Sequence, residues 1–91
     1  MATLNMRLLA ERLRAGREAQ GLSQTALAAR ADLNLGNVNE IERQQKKWVR
    51  ADTIVALATA LHLSADYLLG LTDDATPPKK RPRPRTAAPV G

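Results

Sequence analysis

Ser23-Gln24-Thr25-Ala26-Leu27-Ala28-Ala29-Arg30-Ala31-Asp32-Leu33-Asn34-Leu35-Gly36-Asn37-Val38-Asn39-Glu40-Ile41-Glu42-Arg43 carries two helix starts in quick succession. Ser23 has a side-chain oxygen that can accept from the free amides of a first turn. Strong helix formers follow it as far as Ala31, although no Glu completes a capping box. After Asp32 and Leu33, Asn34 offers a second cap for a helix from Leu35 to Arg43, in which Val38 and Ile41 lie on one face. Two short helices joined by a tight turn result, and the second has polar side chains opposite its apolar pair.

Upstream, Met6, Leu9, Ala10 and Leu13 recur at helical spacing with charges on the other faces, which predicts a first helix. Gly16 inside it costs about 1 kcal/mol relative to Ala, a penalty that tertiary packing must offset. Gly21 suits the left-handed stop that follows. Downstream, Gln44 to Ala51 lacks an apolar period and contains Lys46, Lys47, Trp48 and Arg50, so it reads as an exposed basic loop. Asp52 is the expected cap of a fourth helix from Thr53 to Leu61, in which Ile54, Leu57, Ala58 and Leu61 face one side. Ser64 caps a short fifth helix from Ala65 to Leu69, stopped by Gly70. The fold class is all-α, with five helices in a domain over residues 1–71. Residues 72–91 form a Pro/Lys/Arg-rich tail expected to be disordered, with five cations and no acid between Pro77 and Arg85.

Composition narrows the function. With 91 residues there is room for one compact core, and 14 Lys and Arg against 9 Asp and Glu give a net charge of +5 that favours polyanionic partners. The absence of cysteine excludes disulfides, thiol catalysis and Cys-based zinc sites. The single His62 has no set of partners for a catalytic triad or a metal centre, and it reads as a surface or capping residue. No catalytic residue, metal or cofactor is therefore expected. Neither a membrane span nor a signal peptide is legible, so a soluble cytoplasmic protein is the expectation.

The run Arg12-Leu13-Arg14, Arg17-Glu18, Gly21-Leu22-Ser23-Gln24, Leu27-Ala28, Leu33-Asn34, Val38-Asn39 and Ile41-Glu42-Arg43 resembles the signature of the phage-repressor, Xre-like helix-turn-helix regulators. The resemblance covers roughly residues 9–70. It implies a five-helix repressor-like DNA-binding domain and an ion pair between Arg17 and Glu42. It also places Leu35, Gly36, Asn37, Asn39 and Glu40 on the groove-facing side of the third helix. Asn37 or Asn39 can bond adenine through two contacts, Glu40 can accept from cytosine N4, and Leu35 can touch a thymine methyl, while Gly36 permits close approach. The chain departs from the family pattern at Asp32, where Gly is usual.

Ser23 and Gln24, at a helix N-terminus, are expected to grip phosphate, with Arg43, Lys46, Lys47 and Arg50 extending the grip. Trp48 has three readings, of which packing on the bundle comes first, ahead of stacking near a DNA backbone or sitting in a partner interface. Tyr67, Leu68 and Leu71 belong either to the core or to a dimer contact, which the resemblance implies for the last helix. The expected function is a sequence-specific double-stranded DNA-binding regulator, a repressor acting as a homodimer on a palindromic operator. The alternative is a protein-interaction module, such as an antitoxin or a phage-encoded regulator, whose main partner is another protein. The basic tail adds a nonspecific phosphate contact, a minor-groove arm or solubility alone.

Overall fold

The computed structural model describes residues 4–77. Five helices follow one another: α1 (Met6–Ala19), α2 (Gln24–Ala31), α3 (Leu35–Glu42), α4 (Ala51–Leu61) and α5 (Ala65–Leu69), with no strand among the described residues. Most of the basic tail, from residue 78 onward, lies outside them.

Local chemistry sets most of the boundaries. Ser23 Oγ accepts from the Ala26 amide at 3.0 Å, Asn34 Oδ1 from Asn37 at 2.7 Å and Ser64 Oγ from Tyr67 at 3.3 Å, so all three expected caps form. Asn5 caps α1 in the same way, through the Leu8 amide. Gly21 at φ 69° ends α1, and the Leu22 amide returns to the Arg17 carbonyl at 3.1 Å. Asp32 adopts the left-handed conformation that the turn between α2 and α3 requires, at φ 58°, and lets the Leu33 amide reach the Ala28 carbonyl at 2.8 Å.

Two boundaries differ from expectation. Asp52 does not cap α4: the helix starts at Ala51, its N-cap is Arg50, and no side chain bonds the first turn. Asp52 instead lies inside that turn, where its charge complements the helix dipole. The third helix ends at Glu42, with Arg43 as its C-cap and Gln44 left-handed at φ 60°.

Leu9 and Leu13 of α1, Leu27 of α2, Val38 and Ile41 of α3, Ile54, Leu57 and Leu61 of α4, and Leu68 of α5 close one core. In it α1 packs on α3 and α5, α2 on α3 and α4, and α4 on α5. A Cβ at Gly16 would stand 2.8 Å from Leu63 Cδ1, so the glycine leaves room for the Leu63 side chain. Arg12 fastens the other end. Its Nη1 donates to the Tyr67 carbonyl at 2.6 Å and the Thr72 carbonyl at 2.7 Å, its Nη2 reaches Asp73 Oδ1 at 2.8 Å, and its guanidinium lies 4.0 Å from the Tyr67 ring centre. The Ser64 amide also bonds the Ala75 carbonyl at 3.0 Å. Beyond Leu71, Thr72 and Ala75 thus supply carbonyls that Arg12 of α1 and the Ser64 cap of α5 hold.

Candidate nucleic-acid interface

The α3 helix is short, so its anchoring decides what it can present. Val38 and Ile41 are fully buried and Glu42 is nearly so, which pins one face of the helix against α1 and α2. The opposite face is open: Leu35 is 45% exposed, Gly36 and Glu40 are exposed, and Asn37 and Asn39 are half-buried. None of these five residues is buried, although the Asn39 side chain donates to Gln24.

Glu42 is the centre of a buried polar cluster. Its Oε2 accepts from Arg17 Nε at 2.7 Å, and its Oε1 accepts from Arg17 Nη2 at 3.0 Å, Gln24 Nε2 at 3.1 Å and Arg14 Nε at 3.4 Å. Arg17 also donates to the Leu22 carbonyl at 2.8 Å. Burial pushes the Glu42 carboxyl up, but the hydrogen bonds from Arg17, Gln24 and Arg14 and the charge of Arg17 outweigh it, so the group lies below its ordinary pKa. The hydrogen bond to Glu42 raises the Arg17 guanidinium further, against the opposing effect of burial. The expected Arg17–Glu42 pair is therefore present, bidentate and fully hydrogen-bonded, and Arg14 joins it. That third partner was readable in principle, since Arg14 sits one helical turn before Arg17 on the same side.

The cations fall around this helix. Arg43, Lys47 and Arg50 are exposed, and Lys46 is half-buried with Nζ 3.4 Å from Glu40 Oε1. Arg50 Nε lies 3.4 Å from Asp52 Oδ1. Lys46, Lys47, Trp48, Val49, Arg50 and Thr53 line an open groove of about 340 Å³ that reaches Asn37 of α3. Trp48 does not pack on the bundle; it stands 68% exposed among these cations. At the start of α2, the amides of Gln24 and Thr25 precede the first intrahelical bond, which the Leu27 amide makes to the Ser23 carbonyl. Ser23 Oγ is spent on its cap. The Gln24 side chain is turned inward: it donates to Glu42 and accepts from Asn39 Nδ2 at 3.1 Å, so one amide hydrogen is all it has left for a phosphate.

Of the three residues named for a dimer contact, Leu68 is fully buried in its own core and has no surface to offer. Tyr67 is half-buried under Arg12, whereas Leu71 is 74% exposed. Among the described residues no group of His, Cys, Asp or Glu is arranged to hold a metal ion, and no helix is long and apolar enough to cross a membrane.

Comparison with known proteins matches this geometry. The family described as Helix-turn-helix matches residues 13–68. The uncharacterized HTH-type transcriptional regulator YobD of Bacillus subtilis (strain 168) is 37% identical over 71 residues, which cover 78% of this chain and 62% of that protein. The chain thus spans less than two thirds of that relative's length. The crystal structure of the restriction-modification controller protein C.AhdI from Aeromonas hydrophila is similar with a TM-score of 0.66 and 38% identity, over 70% of this chain and 96% of that one. The P22 c2 repressor, crystallised in complex with a synthetic operator, is similar with a TM-score of 0.63 and 32% identity, over 68% of this chain and 92% of that one. With its turn, its exposed third helix and its buried ion pair all in place, the chain belongs to the helix-turn-helix family, in the phage-repressor, Xre-like group.

Proposed function

We propose that the protein is a sequence-specific double-stranded DNA-binding transcriptional regulator that inserts α3 into the major groove and represses by occupying an operator. The observation that carries this reading is the division of α3 into two faces. Val38, Ile41 and Glu42 are locked inside, while Leu35, Gly36 and Glu40 are exposed and Asn37 and Asn39 half-buried, beside Lys46, Lys47 and Arg50. A helix so held has the width of the major groove and carries donors and acceptors to its floor. The exposed cations and the free amides at the start of α2 would take phosphates, which fix position without reading sequence. The relatives support the reading, since the P22 c2 repressor is seen with an operator. The reading assigns no catalysis to the chain.

The finer proposal is a homodimer on a palindromic operator, with half-sites about one helical turn apart. Leu71, exposed just past the Gly70 cap of α5, is the apolar residue best placed to meet a second copy.

Selection from a random duplex pool followed by a gel-shift series tests the proposal. Asn39→Ala and Glu40→Ala are expected to weaken binding to the selected site while sparing nonspecific duplex, whereas Lys46→Ala weakens both. Equal behaviour of all three variants would show that α3 does not read bases.

A further inference from the structure

All nine Asp and Glu of the chain lie at or before Asp74, together with nine of its 14 Lys and Arg, so residues 1–77 carry no formal net charge. The whole excess of +5 sits on Lys79, Lys80, Arg81, Arg83 and Arg85, which follow the described residues. Within the folded part most cations are already matched, since Arg7, Arg12, Arg14, Arg17, Lys46 and Arg50 each pair with an acid. Among the described residues only Arg30, Arg43 and Lys47 lack such a partner. A surface so balanced can grip single phosphates, but it gives little general attraction to a polyanion. The reading helix and the net charge of the chain therefore lie on different segments.

The fold fixes where those five cations start. Arg12 holds the Thr72 carbonyl and Asp73, the Ser64 amide holds the Ala75 carbonyl, and Asp74 accepts from the Thr76 amide. The two acids just before the cations are thus engaged. Pro77 then lines a groove on the outer face of α4 with Val55, Thr59 and His62. Val55 and Thr59 lie roughly 7 to 14 Å along the helix from Arg50. Arg50 and Thr53, at the start of α4, line the other groove, the one that reaches Asn37 of α3. The eight residues from Pro77 to Arg85 span at most about 26 Å, enough to pass the start of α4 by about 12 Å, or three to four base pairs. We infer that residues 78–85 are a phosphate-binding arm, which runs from the outer face of α4 onto the DNA backbone flanking the site that α3 reads and supplies most of the affinity for duplex of any sequence. This rests on the proposed reading of DNA by α3.

The test uses the full chain and a variant in which Lys79→Gln, Lys80→Gln, Arg81→Gln, Arg83→Gln and Arg85→Gln are combined, with thermal melting to confirm that both fold alike. Each is titrated from 50 to 200 mM salt against the site selected from a random duplex pool, once with long flanks and once trimmed to the bare site, and against unrelated duplex. On the long duplexes the wild-type chain should lose about 100- to 500-fold more affinity over that salt range than the variant, because its logarithmic slope is steeper by about 4. The ratio of specific to nonspecific affinity should stay the same, since phosphate contacts carry no sequence information. Trimming the flanks should cost the wild-type chain most of its advantage and leave the variant unchanged. Equal salt slopes for the two chains overturn the inference, and leave the five cations outside DNA binding. An advantage that survives trimming overturns the flanking placement. A base preference in the flanks that only the wild-type chain shows places the arginines in the minor groove, which overturns the backbone contact. A wild-type chain that enriches no sequence sinks the DNA-reading proposal itself, and this inference with it.

Discussion

Glu42 is where residue chemistry bears hardest on the fold, because its buried carboxylate is tolerable only while Arg17, Arg14 and Gln24 surround it. Removing a partner leaves a buried charge without compensation, so Arg17→Ala should cost about 3–5 kcal/mol in urea denaturation at pH 7. The pH dependence has a definite sign. The folded pKa of Glu42 lies below its ordinary value of 4.5, so the unfolded chain takes up the proton first as pH falls. The stability contributed by this group is therefore complete above that ordinary value and is lost as pH drops toward the folded one. Glu42→Gln should be less stable at pH 7 and lose less on acidification; an acid slope identical to wild type would contradict this. A second residue carries strain. Gln44 occupies the left-handed region at φ 60°, so Gln44→Gly should stabilise the fold by about 1 kcal/mol, visible as a higher melting temperature. No gain on heating would show that Gln44 is not strained.

At the scale of elements, α4 is the one helix among the described residues that starts without a side-chain cap, because Arg50 holds the position that Ser or Asn fills in the other four. Arg50→Ser should add about 1 kcal/mol of stability. If Arg50 contacts a phosphate, the same change should also weaken DNA binding and lower the salt slope by about one. A variant that binds DNA with the wild-type salt dependence would remove Arg50 from the interface. The caps at Ser23, Asn34 and Ser64 were legible because a cap depends on its own side chain and the next three residues. Asp52 lies two residues past the cap: an acid near a helix start suits the cap and the first turn alike, and only the backbone path out of the basic loop decides. Leu68 and Leu71 could not be told apart from sequence, since five residues of α5 are too few for a periodicity to show which leucine faces inward.

For the whole molecule, the family signature was legible because its demands are steric and local: small Ala28 between α2 and α3, and apolar Val38 and Ile41 under the reading helix. Trp48 was not, because an aromatic residue in an irregular loop packs only if the bundle presents a surface to it, which no local pattern encodes. The Gln24–Asn39 bond was equally hidden, since it joins two helices across the turn and depends on the depth of Glu42. What emerges is a small rigid scaffold with one charged, hydrogen-bonding side formed by α3 and the basic loop. The central claim is that this side meets duplex DNA. Amide and indole chemical shifts of the full chain, followed during titration with its selected duplex, test it most directly. The account predicts that the largest changes fall on Leu35, Gly36, Asn37, Asn39 and Glu40, with Lys46, Lys47 and the Trp48 indole next. Changes confined to the α4 and α5 surfaces, with α3 silent, would contradict it.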